Sequence, residues 1–234
     1  MAAPASKQAV VCVFCGASPG SDPVHLESAR ALAHEFHKNN VHLVYGGGTG
    51  GIMGEIAKTL VSLSGPEAVH GVIPNALVQV EEGYQDKSDD ANAEGKSAER
   101  VVKNDSPSMS SEFGLITVVP DMHTRKRLMA TKVLEGGPGS GFISLAGGFG
   151  TMEEVMEITT WNQIGIHHTG IVMLNINGYW DGIMAWVKSA VKQGFISEKN
   201  AGILGETKDV HQVLKMLREY TVSPERLQLN WGQE

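Results

Sequence analysis

The chain has only two cysteines among its 234 residues, and their positions do not suggest a redox or disulfide pair. Cys12 and Cys15 share a C-x-x-C spacing, but they lie in the apolar segment 10–15 instead of opening a helix, where reactive thiols are found. Residues three positions apart on a strand point to opposite faces, and disulfides are rare in the cytosol. We therefore predict two unpaired thiols in a cytoplasmic protein.

Long apolar runs and clustered basic residues are also missing. No run approaches the roughly 20 apolar residues that span a bilayer, and residues 1–7 lack the charged start and apolar centre of a signal peptide. The formal net charge is -7, with lysine and arginine scattered along the chain, unlike the basic surface of a nucleic-acid-binding protein. We expect neither a membrane nor a nucleic acid as a partner.

Metal-ligand spacing is absent too. The chain has nine histidines, and His167-His168 is their only adjacent pair, with no carboxylate or cysteine at ligand spacing. We predict no metal site and interpret this pair as part of a surface loop.

What the chain does contain is a regular alternation of apolar segments with segments of helical periodicity. The predicted strands are 9–15, 41–45, 69–73, 114–119, 141–146 and 170–175, and the predicted helices are 24–38, 50–63, 121–135, 150–164, 181–193 and 207–219. Continuously apolar strands that alternate with helices are typical of a parallel sheet covered on both faces. We predict an α/β fold: a single-domain, Rossmann-like, doubly wound sheet, mostly parallel, with helices on both faces and a ligand beyond the carboxyl ends of the strands.

Two stretches depart from this alternation. Residues 81–111 are mostly polar and charged and bury too little apolar surface to order themselves firmly, which predicts an insertion in a single domain over 1–234, with a lid over the site as the alternative. The residues from about 223 onward form a predicted short tail or packing arm.

Two glycine-rich turns, G-G-G-T-G-G at 46–51 and G-G-F-G-T at 147–151, each follow a predicted strand and open a predicted helix. Such a turn leaves backbone N–H groups unpaired at a positive helix end, where phosphate binds. In the second turn Thr151 can add a hydroxyl or cap the helix. The alternative for this turn is a tight bend followed by acidic residues that the helix dipole favours.

Two charged segments accompany these turns. Glu154 shares a helical stripe with Ile158 and Trp161, and apolar surroundings raise the pKa of a carboxyl group into the range useful for proton transfer near neutral pH. The segment D-M-H-T-R-K-R at 121–127 places basic residues near a helix start, where an anion at the strand ends would account for them. A solvated basic patch is the alternative.

The first turn also matches the dinucleotide fingerprint G-x-G-x-x-G at Gly46, Gly48 and Gly51. That fingerprint wants an acidic residue roughly 20 positions later, whereas the next strand ends G-V-I-P-N at 71–75. A nicotinamide-dependent dehydrogenase is therefore not expected.

Together these motifs resemble the LONELY GUY family of cytokinin riboside 5′-monophosphate phosphoribohydrolases. The family's P-G-G-x-G-T-x-x-E motif is matched by 146–154, with Ala146 in place of proline, and its M-H-x-R-K motif by 122–126. Similar segments at 14–18, 45–48, 51–54, 158–167 and 174–180 extend the resemblance over most of 9–205.

The resemblance implies hydrolysis of an N-glycosidic bond without a cofactor, releasing an N6-substituted adenine and ribose 5-phosphate, by a homodimer or larger homo-oligomer. It implies that Arg125 and Glu154 are catalytic, and that Lys126, Gly147, Gly148, Gly150, Thr151, Glu153 and Thr160 bind the substrate, a nucleoside 5′-monophosphate. The same motifs and strand-end turns add further candidates for substrate or phosphate binding: Cys15, Gly16, Ser18, Gly47, Gly48, Met53, His123, Phe149 and Met152.

The chain also departs from the family pattern. Ala76 stands where the family usually has an acidic residue, and the 81–111 insertion is longer than in plant members; both features bear on base recognition. Two alternative functions stay open at this point: a nucleotide carrier without turnover, and a phosphoribohydrolase for ordinary nucleoside monophosphates such as AMP. The family's other label, lysine decarboxylase, finds no independent support in the sequence.

Overall fold

A computed structural model describes residues 7–78 and 109–231, with side chains from 112 onward in the second range. Its framework is one eight-stranded sheet. The strands are β1 Val10–Phe14, β2 His42–Tyr45, β3 Val69–Pro74, β4 Met109–Ser111, β5 Gly114–Val119, β6 Gly141–Ser144, β7 Gly170–Leu174 and β8 Leu204–Thr207.

The strand order is β4-β5-β3-β2-β1-β6-β7-β8. All neighbouring pairs are parallel except β4 with β5, which pair antiparallel at one edge. In the centre, β1 pairs with β2 on one side and with β6 on the other. The chain therefore winds in one direction from β1 to β5 and in the other from β6 to β8, and a crevice opens at the carboxyl ends where the direction changes.

Helices cover both faces of this sheet. They are α1 Val24–Asn39, α2 Gly51–Ser64, α3 Asn75–Val78, α4 Met122–Leu134, α5 Phe149–Gln163, α6 Asp181–Lys192, α7 Glu198–Ala201 and α8 Val213–Glu219. Buried residues of α1, α2 and α8 pack on one face, and those of α4, α5 and α6 pack on the other. None of the helices within 7–78 and 109–231 is long and apolar enough to cross a membrane.

These observations confirm the predicted α/β class and the helices on both faces. The unpaired thiols are confirmed as well, since Cys12 and Cys15 are free and buried. Cys12 packs in the α4–α5–α6 core, and Cys15 packs in the α1–α2–α8 core. Opposite orientation on β1 thus separates the two sulfurs.

Two strands were not predicted, and a helix start was wrong. β8 was missed because only Leu204 of its four residues is buried, so it lacks an apolar run. The helix predicted over 207–219 is α8, which begins only at Val213 after a 3-10 turn that Asp209 caps by accepting from the His211 N–H. The predicted insertion at 81–111 lies outside the described residues except for its last three, which form β4.

The interpretation of His167-His168 as a surface pair is wrong for one partner. His168 is exposed, but His167 is only 2% exposed. The His167 Nε2 lies 2.9 Å from the Ile158 carbonyl oxygen, and its Nδ1 lies 3.2 Å from the Thr169 backbone nitrogen. Both ring nitrogens of His167 are therefore engaged in hydrogen bonds that attach the following loop to α5.

Candidate active site

A cavity of about 850 Å³ lies at the carboxyl ends of the central strands, within the ~300–1,000 Å³ range of small-molecule sites. Its wall combines the loop after β1, the turn after β2, the start of α4 and the turn between β6 and α5. The strand order places these four segments side by side although they are far apart in the sequence.

The start of α4 delivers Arg125 to this cavity. Asp121 caps the helix: its carboxylate accepts a hydrogen bond from the Thr124 backbone N–H at 2.8 Å. The Arg125 side chain then crosses beneath the β2–α2 turn, where a Cβ on Gly46 would stand 2.1 Å from its Nη2. Gly46 therefore leaves the space that the guanidinium occupies.

Arg125 and Glu154 form a buried ion pair in the cavity wall. Nη2 of Arg125 donates to Oε1 of Glu154 at 3.1 Å, and the two side chains are 10% and 8% exposed. The Nε of Arg125 is buried and has no hydrogen-bond partner, while its Nη1 has Met122 Sδ at 3.7 Å. Since a guanidinium offers five N–H donors, Arg125 keeps donors for a further anion.

Burial controls the protonation of Glu154. Removal of the carboxyl group from water raises its pKa from 4.5 to about 7, outweighing the opposing attraction of Arg125. The charges of Glu153 and Glu157 raise this pKa further, and that of Lys126 lowers it. A carboxyl group that titrates near neutral pH can accept a proton or donate one during a reaction.

Lys126, next to Arg125, links α4 to α5. Its Nζ donates to Glu153 Oε1 at 2.5 Å and to Glu157 Oε1 at 3.0 Å, with 11% of the side chain exposed. Together with the Arg125–Glu154 pair, these contacts hold the starts of the two helices in register. The alternative of a solvated basic patch is therefore wrong for both Arg125 and Lys126.

The turn between β6 and α5 presents its backbone to the cavity. Gly148 is the N-cap of α5 and provides no capping side chain, so the first N–H groups of the helix lack intrahelical acceptors. A Cβ on Gly148 or on Gly150 would meet nothing within 4 Å, which leaves room for a ligand at a positive helix end.

Two details of this turn correct the sequence-based expectations. Thr151 does not cap α5, because it is the third residue of the helix and is only 4% exposed. Glu153 and Glu154 lie beyond the first helical turn, which contains no acidic residue. The alternative that they serve mainly the helix dipole is therefore not supported.

The glycine turn after β2 differs from the one before α5. The backbone N–H groups of Ile52 and Met53 at the start of α2 already donate to the Gly16 carbonyl, at 3.1 and 3.2 Å. Gly51 has a φ of 58°, and a Cβ there would lie 2.4 Å from the Ala17 carbonyl. These two N–H groups of α2 are therefore engaged in packing the loops together, while Gly46 and Gly48 of the same turn line the cavity, and phosphate binding by this turn stays a prediction.

Most of the predicted site residues line the cavity: Cys15, Gly16, Ser18, Gly48, Met53, Arg125, Gly147, Gly148, Gly150, Thr151, Glu153 and Glu154. Six lie outside its lining: Gly47, which is buried behind it; Met152, which packs into the core; Lys126, which bridges α4 and α5; and the exposed residues His123, Phe149 and Thr160. Burial raises the pKa of the Cys15 thiol, so this side chain does not act as a thiolate nucleophile.

Among the wall residues that were not predicted as site residues are two aromatic rings, His25 and Tyr179. Their rings meet edge to face at 5.5 Å. Tyr179 follows β7 after a short 3-10 turn, so the rule that ligands lie beyond strand ends could have found it. His25 has no comparable signal, because it lies within the first turn of α1.

The fold and the site define an α/β protein with a cavity for an anionic small molecule, walled by a basic residue and a carboxyl group. The family model described as "Possible lysine decarboxylase" matches residues 53–217. A cytokinin riboside 5′-monophosphate phosphoribohydrolase of Arabidopsis thaliana is 33% identical over 231 residues, covering 98% of this chain and 92% of that protein. A second one from the same plant is 33% identical over 90% of this chain and 83% of its own length. The chain belongs to this LONELY GUY family, as its motifs predicted.

A fungal relative is more similar but much longer. The bifunctional cytokinin biosynthesis protein of Fusarium pseudograminearum is 45% identical over 225 residues, which cover 96% of this chain and 43% of that protein. The chain thus spans less than half of the length of this relative.

Among solved structures, the molybdenum cofactor carrier protein of Chlamydomonas reinhardtii matches 91% of this chain and 98% of its own, with a TM-score of 0.57 and 15% identity. A molybdenum cofactor binding protein of Rippkaea orientalis matches with a TM-score of 0.56 and 12% identity. At such low identity these structures show the shared fold alone.

The residues of the cavity do not fit the chemistry that the words "lysine decarboxylase" suggest. Decarboxylation of an amino acid through pyridoxal phosphate needs a lysine that forms a Schiff base with the cofactor. No lysine is among the described residues that line the cavity. Lys126, which follows Arg125 in the same motif, is held by the carboxylates of Glu153 and Glu157.

Proposed function

We propose that this enzyme hydrolyses the N-glycosidic bond of cytokinin riboside 5′-monophosphates and releases a free N6-substituted adenine and ribose 5-phosphate. The observation that carries the proposal is the buried Arg125–Glu154 pair beside the open amino-terminal end of α5. The plant relatives are named as phosphoribohydrolases of the same substrates.

Binding begins with the 5′-phosphate at the start of α5. The backbone N–H groups around Gly148 and Gly150, together with the helix dipole, supply the positive end. Arg125 holds ribose or phosphate oxygens with the donors that Glu154 leaves free. These contacts fix the ribose so that its C1′ faces the Glu154 carboxylate.

Bond cleavage makes C1′ electron-poor. As the C1′–N9 bond breaks, its electron pair leaves with the base, and the ribose becomes oxocarbenium-like, as in other glycoside cleavages. The anionic Glu154 stabilises this charge and accepts a proton from the attacking water, whose oxygen bonds to C1′. That proton is then delivered to the departing base, so the carboxylate is regenerated.

Free-base release provides the direct test. The protein is incubated with isopentenyladenosine 5′-monophosphate, with AMP and with isopentenyladenosine, and free base is separated and quantified. We expect the modified nucleotide to be cleaved fastest. The riboside should be cleaved at least ~100-fold less efficiently, because two lost charge-assisted hydrogen bonds at about 1.5 kcal/mol each amount to about 3 kcal/mol.

The same experiment separates the alternatives. Faster release from AMP would favour a general nucleoside monophosphate hydrolase, and binding without release would favour a carrier. Equal kcat/KM for riboside and monophosphate would show that the start of α5 does not bind phosphate.

Three expectations complete the proposal. The enzyme acts in the cytoplasm, folds as one domain over the whole chain and works as a homodimer. Support comes from its two free thiols, from the single sheet that joins the described ranges on both sides of residues 79–108, and from exposed aromatic side chains on α6 and beyond.

A further inference from the structure

Tyr179 makes a contact that none of the site motifs accounts for. Its hydroxyl donates a hydrogen bond to the Gly147 carbonyl oxygen at 2.6 Å. Tyr179 reaches this position from the segment after β7, the strand next to β6, and its ring lines the cavity wall beside the glycine turn. The contact therefore joins two segments that are 32 residues apart.

This bond acts on the peptide group between Gly147 and Gly148. The carbonyl of Gly147 and the N–H of Gly148 belong to one trans peptide plane and point in opposite directions. Both flanking residues are glycines, which impose the weakest limits on backbone rotation. Holding the Gly147 oxygen on the Tyr179 side therefore directs the Gly148 N–H to the other side of the plane.

The Tyr179 ring is itself held in place. It packs edge to face against His25 at 5.5 Å and against Trp180 at 4.7 Å. Its backbone N–H donates to the Ile176 carbonyl at 3.1 Å, in a tight turn where Gly178 has a φ of 74°. The hydroxyl is thus presented by a braced side chain.

We propose that Tyr179 is a positioning residue for phosphate recognition: its hydroxyl fixes the Gly147–Gly148 peptide so that the Gly148 N–H donates to the 5′-phosphate. This inference rests on the proposed function, because it assigns the phosphate to the start of α5. It makes Tyr179 a determinant of selectivity for the nucleotide over the nucleoside, with no direct contact to the reacting bond.

The test uses Tyr179→Phe, which removes the hydroxyl and keeps the ring. Tyr220→Phe is the matched control, since the Tyr220 hydroxyl bonds Asn162 Oδ1 at 3.2 Å and does not line the cavity. Calorimetry gives the Kd for ribose 5-phosphate and for inorganic phosphate, and kinetics give kcat and KM for isopentenyladenosine 5′-monophosphate.

We expect Tyr179→Phe to raise both Kd values and the KM about 5- to 15-fold, the usual effect of one hydrogen bond. The kcat and the thermal midpoint should stay close to wild type, because the lost contact acts on ground state and transition state alike. Tyr220→Phe should leave the phosphate Kd values unchanged.

Unchanged phosphate affinity in Tyr179→Phe overturns the inference. So does an equal loss of affinity for free adenine, because the hydroxyl would then act on the base and not through the glycine turn. The wild-type arm judges the proposed function separately: phosphate binding without base release overturns the hydrolase proposal, and the Kd ratio still decides the role of Tyr179.

Discussion

At the scale of single residues, Glu154 and Arg125 constrain each other. Burial favours the protonated carboxyl group, and the guanidinium favours the carboxylate, so the balance brings the pKa of Glu154 to about 7. Such a carboxyl group exchanges a proton readily at neutral pH, whereas an exposed glutamate would stay ionised. The burial of this ion pair thus favours proton transfer by Glu154 and opposes the ionised, folded state of the protein.

The first prediction concerns Glu154→Gln. The change keeps size and removes the charge that stabilises the oxocarbenium-like ribose, so kcat should fall at least ~100-fold, while the Kd for the nucleotide changes only a few-fold. Single-turnover base release and calorimetry measure the two quantities. Glu219→Gln, at an exposed position on α8, is the control, and turnover near wild type in Glu154→Gln would remove this residue from the mechanism.

The second prediction concerns pH. Because the ionised carboxylate is the active form, kcat should rise with pH and level off above about 7, the pKa of Glu154. Stability should move the other way. Below pH 4.5 the Glu154 carboxyl group is protonated in both the folded and the unfolded state, so its favourable contribution to folding is fully present. Between pH 4.5 and about 7 it ionises in the unfolded chain but stays protonated in the folded one, so the free energy of unfolding falls as the pH rises.

Unfolding in denaturant at pH 5 and pH 8 checks the stability part. One pKa unit corresponds to about 1.4 kcal/mol. The unfolding free energy of Glu154→Gln, relative to that of the wild type, should therefore rise by on the order of 3 kcal/mol between pH 5 and pH 8, because glutamine does not ionise. Parallel pH dependence of the two proteins would contradict a raised pKa.

The third prediction concerns Gly46→Ala. The new methyl group would stand 2.1 Å from Arg125 Nη2; the guanidinium is the mobile end of its side chain, so it moves while the fold persists. We expect kcat to fall roughly 10- to 100-fold, with a stability loss of about 1–3 kcal/mol at most. Gly182→Ala in α6, where a Cβ meets nothing within 4 Å, should be fully active.

Sequence reasoning reached some of these residue-scale facts and missed others. The raised pKa of Glu154 was predictable because its helical neighbours Ile158 and Trp161 are apolar. The contact between Gly46 and Arg125 was not, because it joins the turn after β2 to helix α4, which follows β5, and their proximity depends on the strand order β5-β3-β2. A pattern within one segment carries no information on such a contact.

At the scale of elements, the Arg125–Glu154 pair depends on the alignment of α4 with α5. Two adjacent residues of α4, Arg125 and Lys126, contact residues from successive turns of α5. The charge of Lys126 also lowers the pKa of Glu154, against the effect of the two carboxylates that it neutralises. The ion pairs of Lys126 thus affect both the alignment of α4 with α5 and the pKa of Glu154.

The fourth prediction concerns Lys126→Met. Removal of the positive charge leaves Glu153 and Glu157 unbalanced beside Glu154, so its pKa should rise and the acid limb of the kcat profile should move to higher pH. At pH 7 we expect kcat to fall roughly three-fold or more. Lys188→Met on the exposed face of α6 is the control; an unshifted acid limb would show that the bridge has no electrostatic role.

Element prediction succeeded where burial is complete and failed at the edges of the sheet. All the strands that were predicted form, because their residues are apolar on both faces. Edge strand β8 has one buried residue among four and lacks that signal, and edge strand β4 is only three residues long. The missed edges lie away from the cavity, so the predicted site position was unaffected.

At the scale of the whole molecule, the sheet reverses its winding beside β1, and this reversal positions the cavity. It brings the β1, β2 and β6 loops together, as the general rule for doubly wound sheets predicts. Family membership and fold class followed from the sequence because two spaced motifs and a regular alternation carry them. The oligomeric state has no such local signature.

The fifth prediction is that the active enzyme is a homodimer. On α5, the apolar residues Val155 and Ile158 are buried within the chain. Exposed aromatic side chains include Trp186 on α6, which is 53% exposed, and Phe195 just after it, which is 84% exposed. We expect these side chains to form part of an apolar interaction surface, and a closed two-fold dimer is the commonest way to cover such a surface.

Light scattering at micromolar concentration should therefore give twice the chain mass of 25.0 kDa. Trp186→Glu places a charge in the proposed interface and should shift the protein toward monomer, whereas Leu229→Glu, at a residue 51% exposed in the carboxyl-terminal segment, should not. Activity measured on the same fractions tests whether assembly matters for function, because a pocket completed across the interface would lose turnover on dissociation. A fully active species of 25.0 kDa would rule out the dimer requirement and show that the cavity of one chain is sufficient for catalysis.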